Sequence, residues 1–105
     1  MTIAETIQQQ ITENKVVLYM KGTPDFPQCG FSATTAHILS ENNITFFSVD
    51  VLDDDSIRSG IKEFSNWPTI PQLYINGKFV GGCDIIRDMH ESGELAALLQ
   101  QEVSS

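Results

Sequence analysis

The run Val16-Val17-Leu18-Tyr19-Met20 sets the tightest limit on what this chain can become. A strand turns successive side chains to opposite faces, so five apolar residues without a polar interruption describe a strand buried on both sides. Such a strand belongs in the middle of a sheet, and amphipathic helices must cover that sheet on each face. The rest of the sequence supplies them. Ile3, Ile7 and Ile11 recur every four residues and predict a helix from about Thr2 to Glu13, closed by Asn14. Phe31, Ala36 and Leu39 predict a second from Cys29 to about Glu41, ended by Asn42-Asn43. Ile44 to Val49 reads as another strand. Asp53 is placed to cap a third helix with Ile57, Ile61 and Phe64 inward, which Pro68 and Pro71 then stop.

The strongest local signal follows. Gln72-Leu73-Tyr74-Ile75 and Lys78-Phe79-Val80 flank Asn76-Gly77, a pair that supplies the positive φ values of a two-residue hairpin turn. Those two strands must be antiparallel. Gly81-Gly82 leads into helices expected at about 84–91 and 94–102, with Gly93 between them. A β-α-β half with parallel pairing thus joins a hairpin half. The expected fold is α/β and thioredoxin-like, a four-stranded mixed sheet flanked by helices, with residues 1–105 as one domain.

Length and composition narrow the function. A chain of 105 residues with 41% hydrophobic content can bury a core without disulfides or metals. Fourteen acidic against six basic residues give a formal charge of −8, which disfavours nucleic acid and anionic membrane as partners. No window approaches the roughly 18 apolar residues of a membrane span, and the first residues lack a basic stretch followed by an apolar run. The expectation is a soluble cytoplasmic protein. Cys29 and Cys83, the two cysteines, lie far apart and do not resemble the dense framework of a small secreted domain.

Cys29 follows a loop broken by Gly22, Pro24 and Pro27 and opens a helix. Free N–H groups and the helix dipole at that point favour a thiolate, so its pKa should fall. Lys21, at the far end of the loop, is a candidate for an added positive charge. Three residues beyond Cys29 stands Ser32 rather than a second cysteine, so no disulfide can close across that turn. His37 is too far along the helix to share a metal with Cys29, at about 12 Å for 1.5 Å of rise per residue. His90 has no ligand partner in sequence. Asp53-Asp54-Asp55 reads as a solvated helix start rather than a calcium loop.

The strings Met20-Lys21-Gly22-Thr23-Pro24, Pro27-Gln28-Cys29-Gly30-Phe31-Ser32, Trp67-Pro68-Thr69-Ile70-Pro71 and Gly81-Gly82-Cys83-Asp84 occur together and in order. In this the chain resembles the monothiol glutaredoxins that carry a Cys-Gly-Phe-Ser signature, over essentially its whole length and most like their short bacterial type. The resemblance implies a glutathione site. In a fold of this kind Pro71 is expected to be cis, leaving the backbone of Ile70 to pair with the cysteinyl unit of an extended tripeptide, although a rigid turn without a ligand role is the alternative. Cys83 and Asp84, at a helix start, are candidates for the γ-glutamyl end: N–H groups for its carboxylate, the Asp84 side chain for its ammonium. Asp84 as a mere helix cap is the alternative there. Lys21 and Arg58 are candidates for the glycine carboxylate, Arg58 having a solvated helix face as its alternative. Phe31 and Trp67 are read as packing, with a place at the rim of the site as the alternative. Cys83 is read as a small buried hydrophobe, with a disulfide to Cys29 as the other possibility.

Two protomers, each supplying Cys29 and one glutathione thiol, provide the four thiolates that a 2Fe-2S cluster takes. The resemblance implies that role: Cys29 as cluster ligand in a bridged homodimer, delivery to apo iron-sulfur proteins, and a heterodimer with BolA-type proteins. The alternative is a glutathione-dependent thiol-disulfide oxidoreductase in which Cys29 attacks glutathionylated proteins, an activity the resemblance implies to be weak. A third reading is an interaction domain without thiol chemistry.

Overall fold

The computed structural model describes residues 1–103, with side chains through residue 101. Helix α1 (Ile3–Glu13) begins at a reciprocal cap: the Thr2 hydroxyl accepts the Glu5 N–H and the Glu5 carboxylate accepts the Thr2 N–H, both at 3.1 Å. Strand β1 (Val16–Met20), helix α2 (Gly30–Glu41), strand β2 (Phe47–Asp50) and helix α3 (Asp55–Ser65) follow. Then come the hairpin strands β3 (Gln72–Ile75) and β4 (Lys78–Gly81), and helices α4 (Cys83–Ser92) and α5 (Glu94–Val103). The four-stranded sheet has the order β2-β1-β3-β4. The β1/β2 pair is parallel and the β1/β3 and β3/β4 pairs are antiparallel, so the sheet is mixed as expected.

All five residues of β1 are buried, and their alternation divides the core. Val16, Leu18 and Met20 meet Ala36, Ile38 and Leu39 of α2, Ile86 of α4, and Leu95 and Leu99 of α5. Val17 and Tyr19 turn the other way, onto Ile7 and Ile11 of α1 and Ile57 and Ile61 of α3. Helices α1 and α3 touch at Gly60, where a Cβ would run into the Ile3 side chain. The Asn76-Gly77 turn has φ values of 54° and 80°, as the hairpin signal requires.

Three boundaries differ from the sequence expectation. Strand β2 begins at Phe47, not Ile44, because its ladder with β1 starts at the Val17/Phe47 pair; Ile44 and Phe46 pack against the core instead. Asp54 rather than Asp53 caps α3, its carboxylate accepting the N–H groups of Ser56 at 2.9 Å and Ile57 at 3.4 Å. Asp53 is held in the preceding turn by its own N–H, which donates to the Asp50 carbonyl. Helix α4 starts one residue early, at Cys83, with Gly82 as its N-cap.

Candidate functional site

The crossover from β1 to α2 delivers Cys29 to the N-cap position of α2, in extended backbone conformation. The loop that carries it is closed on itself. The Gln28 N–H donates to the Lys21 carbonyl at 2.9 Å, Thr23 and Phe26 exchange backbone hydrogen bonds at 3.3 and 3.1 Å, and Gly22 pairs with Pro27. Gly22 has φ of +89°, and a Cβ there would stand 2.5 Å from the Phe26 carbonyl oxygen and 2.7 Å from the Gln28 nitrogen. Only glycine satisfies that turn.

The Cys29 thiol is held below its ordinary pKa, chiefly by the Ser32 backbone N–H. The Phe31 N–H, the charge of Lys21 and the Ser32 hydroxyl act in the same sense, while partial burial opposes them. Ser32 therefore does more than stand in for a missing second cysteine. It is fully buried, and its hydroxyl accepts the Lys21 N–H at 3.0 Å, tying the end of β1 to the first turn of α2. Sequence reasoning missed this because a serine in a helix's first turn gives no signal of a partner eleven residues earlier.

Phe31, two residues beyond Cys29, borders a groove of about 230 Å³. Thr69, Ile70 and Pro71 form one wall, Gly82, Cys83, Asp84 and Ile85 the other, and Phe31 and Trp67 border it. The Ile70-Pro71 bond is cis, as expected. Three of the residues anticipated for one ligand, Ile70, Cys83 and Asp84, are thus brought together. The first turn of α4 presents its unpaired N–H groups here, because Gly82 caps without a side chain and the helical ladder starts with the Ile86 N–H on the Gly82 carbonyl. Asp84 does not act as a side-chain cap; its exposed carboxylate pairs with Arg87 at 3.1 Å. Cys83 is buried, and both cysteines are free thiols.

Lys21 sits on the thiol side, part-buried and close enough to Cys29 to favour its thiolate. Neither Lys21 nor Arg58 is among the residues lining the groove, and Arg58 lies part-exposed on α3. Neither cation has an ion-pair partner among the described residues. Of the two readings of Phe31 the structure supports the rim rather than packing: the residue is 61% exposed and borders the groove. Trp67 does both, packing on Phe79 at 5.6 Å between ring centroids while lining the groove. His37 and His90 lie at the opposite end of α2, where their Nε2 atoms approach the two oxygens of Glu41 at 2.7 and 3.1 Å. Among the described residues no three His, Cys, Asp or Glu side chains are arranged to hold a metal ion.

A single activated thiol at the start of α2, on a mixed sheet of this order, places the molecule among the thioredoxin-fold thiol proteins. The comparisons narrow this. The chain belongs to the glutaredoxin family, whose model matches residues 16–80, and within it to the monothiol branch. It is 52% identical over 96 residues to a probable monothiol glutaredoxin 2 of Rickettsia typhi, covering 91% of this chain and 86% of that one. A monothiol glutaredoxin ycf64-like protein of Synechocystis is likewise 52% identical, with 94% and 92% covered. Among solved structures, reduced poplar apo GrxS14 superposes with a TM-score of 0.84 at 50% identity, covering 96% of this chain and 93% of that one.

Proposed function

We propose that this protein binds glutathione in the groove and, as a homodimer, uses Cys29 with the glutathione thiol to hold a 2Fe-2S cluster that it passes to apo iron-sulfur proteins in the cytoplasm. The observation that carries this reading is the lone accessible, activated thiol. Cys29 is activated and reachable, Cys83 is buried, and Ser32 occupies the place of a resolving thiol. One protomer therefore offers one thiolate, and a cluster that takes four must draw on a second protomer and on two exogenous thiols.

The groove's chemistry fits a γ-glutamyl tripeptide. The backbone of Ile70 hydrogen-bonds to none of the described residues, which leaves it free to pair with an extended cysteinyl unit. The α4 N-terminus suits a carboxylate and Asp84 an ammonium, so the two charges of the γ-glutamyl end have separate receivers. Neither Lys21 nor Arg58 lines the groove itself; Lys21, whose charge acts on the Cys29 thiol, is the stronger candidate for the glycine carboxylate and Arg58 the weaker. The cluster is cargo, and ligands drawn from a small free thiol suit release. A BolA-type protein replacing some of them in a heterodimer belongs to the same proposal.

The depressed thiol pKa also favours a second reading, glutathione-dependent thiol-disulfide exchange. Here the Cys29 thiolate attacks the glutathione sulfur of a mixed disulfide and expels the protein thiolate. Free glutathione then attacks the Cys29-glutathione disulfide, leaving oxidised glutathione and restoring the Cys29 thiolate. Anaerobic reconstitution with iron, sulfide and glutathione separates the two, read by visible absorption and molecular mass. A coloured dimer that needs both glutathione and Cys29, and is lost in Cys29→Ser, is the expected result. Folded protein that forms no cluster but turns over a glutathione mixed disulfide makes exchange the function.

A further inference from the structure

Lys21 is fixed from both sides by the backbone. Its N–H donates to Ser32 Oγ at 3.0 Å and its carbonyl accepts the Gln28 N–H at 2.9 Å. The next N–H, that of buried Gly22, leaves the loop and donates to Oδ1 of Asp50 at 2.9 Å. Asp50 ends β2, paired with Met20 at the end of β1. The same Oδ1 accepts the Leu52 N–H, also at 2.9 Å, which pins the carboxylate in a local turn before it reaches across to the loop. Asp50 is part-buried and accepts the N–H of the residue after Lys21, yet it makes no ion pair with Lys21. Its oxygen is occupied by two amides, and the Lys21 ammonium stays available.

We infer that Asp50 is a positioning residue for the thiol site: by holding Gly22 and Leu52 through one carboxylate oxygen, it sets the loop of residues 21–28 and so the places of Lys21 and Cys29. The reach is from one strand end to the neighbouring one, and no other described side chain accepts the Gly22 N–H. Loss of the anchor lets the Gly22 peptide rotate, and Lys21 and the Cys29 thiol then lose their fixed relation.

The sign of the effect separates positioning from plain charge. Deleting the negative charge that binds the Gly22 N–H, next to Lys21, can by itself only favour a thiolate and an anionic ligand. Loss of positioning does the reverse. The test uses the full chain carrying Asp50→Ala or Asp50→Asn, with alkylation of Cys29 by iodoacetamide followed by mass spectrometry across pH, and glutathione binding by calorimetry. The affinity arm rests on the glutathione reading above; the alkylation arm does not. Asp50→Ala is expected to slow Cys29 alkylation at neutral pH and to weaken glutathione binding, each by about tenfold, the scale of one lost hydrogen bond to a charged acceptor. Asp50→Asn keeps an acceptor oxygen in place and is expected to stay within about threefold of wild type. Where Asp50→Ala fails to fold, Asp50→Glu, which keeps the charge but displaces the oxygen, is expected to be impaired as Asp50→Ala would be. Alkylation and binding in Asp50→Ala at or above the wild-type level overturn the inference, and so does equal impairment in Asp50→Asn. If wild-type protein binds no glutathione, the glutathione reading fails and the alkylation arm alone decides the role of Asp50.

Discussion

Replacing Ser32 by alanine removes one oxygen that serves two structures at once. Ser32 is 0% exposed and its hydroxyl is the partner of the Lys21 N–H at 3.0 Å, so Ser32→Ala leaves that amide unpaired beside the core. An unsatisfied buried donor costs about 1–3 kcal/mol, and for a domain of this size each kcal/mol lowers the melting temperature by roughly 4–8 °C. The same hydroxyl favours the Cys29 thiolate, although it is the last of the four favourable influences, behind the Ser32 and Phe31 N–H groups and Lys21. The thiol pKa should therefore rise toward, but not reach, the ordinary value of 9.0. Denaturant unfolding measures the first effect, and the pH dependence of Cys29 alkylation the second. An unchanged unfolding midpoint would refute the claim that Lys21 depends on Ser32. Lower stability with an unshifted alkylation curve would show that the hydroxyl supports the loop but not the thiolate.

Ser32→Cys is expected to keep the fold and gain dithiol exchange, checked by a disulfide-reduction assay in which wild type is slow. Lys21→Ala should weaken glutathione binding by about 1.5–3 kcal/mol in calorimetry, and Arg58→Ala by clearly less, because the charge of Lys21 and not that of Arg58 acts on the Cys29 thiol. Gly22→Ala forces a side chain into left-handed backbone against the Phe26 carbonyl, and should destabilise the protein by about 1–3 kcal/mol in denaturant unfolding. The lowered Cys29 pKa also predicts a pH slope. The folded thiol ionises below the unfolded one, so its contribution is complete above the unfolded value and lost as pH falls through the folded value. Between those two values wild type should gain stability with rising pH relative to Cys29→Ser, as read from unfolding midpoints of the two proteins.

Much of the fold was written locally. The unbroken apolar run of β1 required burial on both faces, and its alternate residues do divide between two packed helical layers. Asn76-Gly77 required a hairpin, and the four-residue recurrence of Ile3, Ile7 and Ile11 a helix, because φ preferences and side-chain periodicity act over a few residues. The placement of Cys29 at the head of α2 followed from the same local signals. Phe31, by contrast, looked like core by its spacing, yet the first turn of α2 aims it at solvent beside the groove. Asp54 took the cap expected of Asp53 because the preceding turn had already claimed Asp53. Neither anticipated cation, Lys21 or Arg58, lines the groove, and the roles of Ser32 and Asp50 were invisible. The sequence by itself determined the order of the elements, the buried central strand, the hairpin turn and the activated thiol. Only the tertiary structure decided which distant groups stand beside that thiol, because a hydrogen bond spanning 28 residues, as from Gly22 to Asp50, exists only once sheet register has brought two strand ends together.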